Sequence, residues 1–198
     1  MAKGKKTEET VEIPMMKISQ ATFSIKGVAP LIVNNFSKKA KEMILDKQMK
    51  KATKGREAKN PKELYKDSLY WFEDQKRTGF PAVGFKAAMT RAAKQLGLVM
   101  TDTRGKFHVL ADENELVEIK GKHHMREDMV RLATGVADVR FRACYTEWKA
   151  DITIAYNENA ISKEQLANLL RVAGFSCGIG EWRPEKSNSG SYGLFDIV

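Results

Sequence analysis

Residues 138–156, DVRFRACYTEWKADITIAY, alternate between apolar and polar side chains. Val139, Phe141, Ala143 and Tyr145 fall on one face, Arg140 and Arg142 on the other, and Ile152 and Ile154 carry the pattern on. A period of two belongs to an extended chain whose successive side chains point to opposite sides, so this stretch predicts sheet with one buried face. Directly after it, ISKEQLANLLRVAG (161–174) changes period. Leu166, Leu169, Leu170 and Ala173 make a helical stripe, Ser162 and Gln165 match a capping box, and Gly174 sits where a C-cap glycine belongs. A fold must therefore stack a helix on a sheet.

The remaining elements extend that pattern. Ala21, Phe23 and Ile25 alternate before Gly27 and Pro30 interrupt them, which predicts a strand and a break. Ser37 can cap a helix whose apolar positions Ala40, Met43, Ile44 and Met49 form a patchy stripe, and the charged run after it predicts an exposed insertion. Leu64, Leu69, Trp71 and Phe72 predict a buried helical segment ending before Gly79. In GFPAVGFKAAMTRAAKQLG, Phe85, Ala88, Met89, Ala92 and Leu96 share one helical face, Lys86, Arg91 and Lys94 point elsewhere, and Gly97 ends the helix. KFHVL and ELVEI, joined by ADEN, predict a hairpin. GKHHMREDMVRLATGVAD has weak periodicity and predicts a loop with at most a short helix, while FSCGI and YGLFDIV predict two strands bracketing a final loop. Strand, helix, hairpin, strand, helix, strand is an α+β order, with helices on one face of an antiparallel sheet and the other face open. The expected organisation is a flexible arm at 1–12 and one domain at 13–198 with insertions at about 48–62 and 120–137.

Charge narrows the function. The chain has 34 Lys and Arg against 25 Asp and Glu, a formal net charge of +9, which favours a polyanionic partner. The excess is concentrated at 37–66, where Lys38 and Lys39 open a run of ten lysines and Arg56 faced by Glu42, Asp46, Glu57 and Glu63. No eighteen-residue apolar stretch or signal-peptide core is present, so a cytoplasmic protein with no membrane partner is expected. Cys144 and Cys177 lack metal-ligand spacing and stand in apolar contexts, as buried free thiols would.

The ending GIGEWRPEKSNSGSYGLF (178–195) places Gly178, Gly180, Gly190 and Gly193 around Trp182, Arg183 and Lys186. It is not a dinucleotide or P-loop fingerprint, since Arg183 holds the third glycine position and no Gly-Lys-Ser follows. Glycines beside a basic turn allow main-chain N–H groups to approach a phosphate, and Trp182 offers a face to a base. His123 and His124 are adjacent and diverge in any regular element; with His108 they make no zinc set. No metal, no cofactor and no catalytic residue is assigned, and an acid–base role for one of the histidines beside a lysine stays open.

This ending resembles the C-terminal glycine-rich loop of the RAMP superfamily, the RNA-binding proteins of CRISPR systems. FPAVGFKAAMTRAAKQLG (80–97) resembles the segment of CRISPR backbone subunits in which a proline and a glycine introduce a helix carrying lysine, small residues and arginine, and FSIKGVAPLIVNNFSKKA is similar in placement to their first strand and loop. Small phage-encoded proteins ending in Gly-x-Gly-Glu-Trp-Arg-Pro are similar as well. The resemblance implies a modified ferredoxin-like, RNA-recognition-motif-like fold and homo-oligomeric subunits stacking along single-stranded RNA or DNA. It puts Gly178, Gly180, Gly190 and Gly193 in the loop and Gly84, Lys86 and Arg91 at a phosphate-facing helix, where Phe85 replaces the usual small hydroxyl residue. Charge adds Lys38, Lys39, Arg140, Arg142, Arg183 and Lys186, and Trp182 is the stacking residue. The alternatives are a metal-independent endoribonuclease of the same superfamily and a phage structural or assembly protein.

Overall fold

In the computed structural model, which describes residues 14–36, 38–51, 59–131 and 134–198, burial alternates along β1 (Ile18–Gly27). Ala21, Phe23 and Ile25 are buried; Gln20, Thr22, Ser24 and Lys26 are exposed. β9 (Lys149–Asn157) does the same with Ala150, Ile152, Ile154 and Tyr156, and the two strands pair antiparallel from Ile18 opposite Asn157 to Lys26 opposite Lys149. β10 (Phe195–Ile197) adds to the free side of β1 and β5 (Phe107–Val109) to that of β9, giving the order β10-β1-β9-β5. In the chain, α3 (Ala82–Gln95) falls between β1 and β5, and α5 (Lys163–Val172) between β9 and β10. Two βαβ units interleaved in one antiparallel sheet make the ferredoxin-like arrangement. The protein is thus α+β, with antiparallel sheets and helices.

The two helices pack on each other and on the apolar face of this sheet. Phe85, Met89, Leu166 and Leu170 are fully enclosed with Ile25, Ile152 and Ile154, and each such side chain contributes about 1.5–3 kcal/mol. At the start of α5 the Ser162 hydroxyl accepts from the Gln165 N–H, and the Gln165 side chain accepts from the Ser162 N–H. α3 ends on Gly97 at φ +73°, where the Gly97 and Leu98 N–H groups donate to Lys94 and Ala93. That double bond pattern is a Schellman close. Ala93 takes the last buried position, and Leu96 stays 46% exposed.

Everything else is inserted into this frame. β2 (Leu31–Val33), α1 (Lys38–Gln48), α2 (Pro61–Asp67), β3 (Tyr70–Trp71) and β4 (Thr78–Pro81) follow β1, and α4 (Met100–Thr103) follows α3. β6 (Leu116–Glu118), β7 (His123–Arg131) and β8 (Ala137–Tyr145) come between β5 and β9. They form two three-stranded sheets, β2-β8-β7 and β3-β4-β6.

Four local expectations differ from what forms. The hairpin of KFHVL and ELVEI is absent: β5 pairs with β9 and β6 with β4. A 3-10 turn at Glu113–Glu115, with Asn114 and Glu115 at positive φ, diverts the connection, and alternation identifies a strand without naming its partner. The loop expected at 121–138 contains β7, paired with β8 over nine residues. Its buried face has Arg126 and Asp128 in place of apolar residues, so the period of two carries no hydrophobic signal. FSCGI is a π-turn at Ala173–Cys177 continuing α5, and Gly174 lies inside it; a Cβ there would stand 2.0 Å from the Phe195 carbonyl oxygen. The glycine lets β10 pass close to the helix end. The helical expectation for 64–72 holds to Asp67, after which Tyr70–Trp71 is strand.

Cys144 and Cys177 are buried and free. The arm expected at 1–12 and residues 52–58 of the first insertion lie outside the described residues. Among those described, no helix is long and apolar enough to cross a membrane.

Candidate nucleic-acid interface

From Cys177 the chain turns through Gly178 and Gly180 at φ +64° and +78°, runs out to Lys186, and returns through Gly190 to Gly193 at φ +68°. A Cβ on Gly180 would stand 2.4 Å from the Ile32 carbonyl oxygen, one on Gly190 2.0 Å from that of Trp182, and one on Gly193 1.8 Å from that of Ile179. Glycine is required because the two limbs of the loop lie against each other and against β2. The Ile179 N–H donates to Gly193 and the Tyr192 N–H to Trp182, while Glu181 and Gly193 donate to the Ile32 and Pro30 carbonyls. The close main-chain approach that these glycines permit is therefore of the loop to itself and to the sheet edge.

This packing holds Trp182 at φ +53°, a costly conformation for a bulky residue and one that recurs at functional sites. The indole is half-buried. Its ring lies 5.7 Å from that of Tyr192, and the Arg126 guanidinium sits 5.4 Å from the indole and 5.0 Å from the phenol. Arg142 stands 5.1 Å from the indole on the neighbouring strand, directly opposite Arg126. Cations over aromatic faces are attracted to the negative face of the ring. Asp128 holds both arginines, accepting from Arg126 Nε and Arg142 Nη2 at 2.8 Å each, and Glu181 accepts from Arg142 Nη1 at 3.3 Å. On the other limb Glu185 pairs with Arg91 of α3 and accepts from Arg183 Nε at 3.1 Å, while Arg183 Nη1 donates to the Gly180 carbonyl.

The fold thus gathers Arg91, Arg142, Trp182, Arg183 and the four loop glycines from distant parts of the sequence. Lys186 is exposed on the same loop. Arg142 is only 1% exposed, so its charge acts inside the cluster. The other candidates lie elsewhere. Gly84 lets the first turn of α3 pack on Phe80, where a Cβ would come within 2.5 Å of the ring. Lys86 reaches His108 on β5, Nζ to Nδ1 2.9 Å. Arg140 continues β8 beyond Arg142 and comes within 4.0 Å of Asp138, which also pairs with Lys59. Lys38 and Lys39 fall in the first turn of α1.

Arg126, Asp128, Tyr192, Glu181 and Glu185 join the cluster without having been singled out in the sequence. For Arg126 and Asp128 the signal was their spacing of two, which puts both on one face of a strand. The three histidines do not meet. His123 accepts or donates at Nδ1 to the Tyr65 hydroxyl, 2.6 Å away, and packs against Trp71 and Tyr145. Burial, with the charge of His124 beside it, holds its imidazole below the ordinary pKa. His124 is exposed on the opposite face of β7. Among the described residues no group of His, Cys, Asp and Glu could hold a metal ion.

No family model matches the chain, and no curated protein matches its sequence. Among solved structures, Cmr6 from Pyrococcus furiosus is similar over 93% of this chain and 100% of that one, at 9% identity and a TM-score of 0.42.

Proposed function

We propose that this protein binds single-stranded nucleic acid with little regard to base sequence, as a RAMP-like subunit that lines up with copies of itself along the strand. The observation that carries the proposal is the convergence of Arg126 and Arg142 on two partly exposed rings, Trp182 and Tyr192, with Trp182 held at positive φ in a loop that Glu185 ties to Arg91 and Arg183. In this role a base stacks on the indole, worth about 1–3 kcal/mol and tolerant of sequence. Lys186 and Arg183 meet phosphates. Arg142 is a positioning residue that fixes the indole from below.

The test is equilibrium binding of single-stranded oligonucleotides of several sequences across a range of salt. Affinity should fall linearly with salt on logarithmic axes, because bound cations release counterions. Arg183→Gln with Lys186→Gln should weaken every sequence alike and lower the slope by about 2. Trp182→Ala should cost about tenfold or more. A flat salt response, or variants that bind as the unmodified protein does, refutes the proposal. Complexes that do not grow with oligonucleotide length refute the stacking part of it.

One contact favours a second reading, metal-independent RNA cleavage, in which His108 is the general base and Lys86 its neighbouring cation, 2.9 Å away. Incubating RNA with the protein in chelator tests it. Absence of cleavage, or cleavage that survives His108→Ala, excludes that role.

A further inference from the structure

At the end of the four-stranded sheet remote from the Ile18–Asn157 pair, three lysines stand in a row: Lys26 and Lys149 on neighbouring strands, and Lys120 on the segment after β6. Lys26 of β1 is directly opposite Lys149 of β9, and Lys149 is bridged on its other side by Lys120, their N–H and carbonyl groups exchanging bonds of 2.8 and 2.9 Å. Residues directly opposite in a sheet share a face, about 5 Å apart, and like charges so placed are destabilising. Only Lys120 is relieved: its ammonium pairs with Asp151 at 2.7 Å. Lys26, Lys149 and the nearby Lys122 are exposed, and none has a side-chain partner among the described residues.

These four lysines line one open cleft of about 680 Å³, in which Glu147 is the single carboxylate. Its floor is rigid. The Trp148 indole, 2% exposed, donates from Nε1 to the Ala29 carbonyl at 2.9 Å and lies so close to Gly27 that a Cβ there would come within 2.1 Å of the ring nitrogen. Three ammonium groups with no side-chain partner oppose folding, and Glu147 can offset only one of them. Those features fit an anionic ligand that carries several charges along its length. Carboxylate ligands of a single charge would leave most of the repulsion in place.

We infer that this cleft binds a phosphate chain through Lys26, Lys122 and Lys149. The chain is either a nucleic-acid backbone passing from the loop site or a free polyphosphate. The inference extends the proposed nucleic-acid function to a second site on different residues, so the two can fail separately. No lysine of the cleft contacts the Trp182 cluster, and none was among the candidates taken from the sequence.

The experiment uses the full chain and two probes, inorganic tripolyphosphate and a single-stranded abasic oligonucleotide, each titrated calorimetrically at low salt. Compared are the unmodified protein, Lys26→Gln/Lys122→Gln/Lys149→Gln, and Arg183→Gln/Lys186→Gln. The triple variant should bind tripolyphosphate at least tenfold more weakly, a larger loss than in the loop variant. Weakening of both probes in the triple variant identifies a sugar-phosphate backbone as the ligand; weakening of tripolyphosphate alone identifies free polyphosphate. Equal binding of both probes by the triple variant and the unmodified protein, or no binding by the unmodified protein, overturns the inference. Lys149→Gln alone guards against a folding artefact. Relief of repulsion should raise its melting temperature at low salt, with the gain fading at high salt, and a fall instead would make the row structural and overturn the inference.

Discussion

Replacing Asp128 with alanine removes the acceptor that holds two arginines together. Its carboxylate is 6% exposed and takes Arg126 Nε and Arg142 Nη2 at 2.8 Å each. Without it, Arg142, enclosed to 1% exposure, keeps only Glu181 at 3.3 Å, and its Nε already has no partner. Breaking a buried pair from one side costs about 3–5 kcal/mol, because the surviving charge stays out of water. For a chain of this size each kcal/mol moves the melting temperature by about 2–4 °C, so a fall of about 6–20 °C is expected. Thermal and urea unfolding of Asp128→Ala, Arg142→Met and the double variant measure it. The double variant should be more stable than Asp128→Ala, since an apolar side chain then fills the site and no charge is stranded, and the cycle should show a coupling of about 1.5 kcal/mol or more. If the two substitutions simply add, Asp128 and Arg142 do not depend on each other and the account of the cluster is wrong.

Gly193→Ala should cost more than about 2 kcal/mol, since positive φ is compounded by a backbone oxygen 1.8 Å from the new Cβ, whereas Gly97→Ala, at φ +73° in open space, should cost only about 1 kcal/mol in the same unfolding assay. His123 is held below its ordinary pKa of 6.5, so the unfolded chain takes up the proton first; its contribution to stability is complete above about pH 6.5 and is lost as pH falls toward the native value. Melting temperature should therefore drop between about pH 7 and pH 5, and His123→Gln should flatten that part of the profile. Tyr65, Trp71 and Tyr145 pack around the imidazole and carry no charge in this range, which leaves His124 as the adjacent charged neighbour. Burial pushes both thiols up, so neither Cys144 nor Cys177 should react with an aromatic disulfide reagent in the native protein, and both should react in denaturant.

What the sequence made legible were the elements whose burial follows a simple period. β1, β9, α3 and α5 each hide one face, and these four supply most of the ferredoxin-like frame. β7 escaped because its inner face is charged: Arg126 and Asp128 satisfy each other, and a hydrophobic pattern cannot report that. Gly174 looked like a helix stop because a glycine after Ala173 matches a cap, yet its role is set by Phe195, a neighbour in space. The loop cluster was legible in its residue types, and Trp182 lies 5.4 and 5.1 Å from the Arg126 and Arg142 guanidinium groups. The partners of those cations were not, because Glu181 and Glu185 acquire meaning only when Arg142 and Arg91 arrive from other elements. The lysine row was invisible for a related reason. Lys26, Lys120 and Lys149 are isolated residues until strand register aligns them.

The pairing of β1 with β9 and β10 also has a temporal side. Ile25 sits opposite both Ala150 and Ile197, so a strand made early must wait for residues more than a hundred positions downstream. Such distant pairing slows folding and leaves the waiting segment open to wrong contacts. During synthesis β1 stays with Phe23 and Ile25 bare until those partners arrive, and losing Phe195–Ile197 would uncover one of its edges for good.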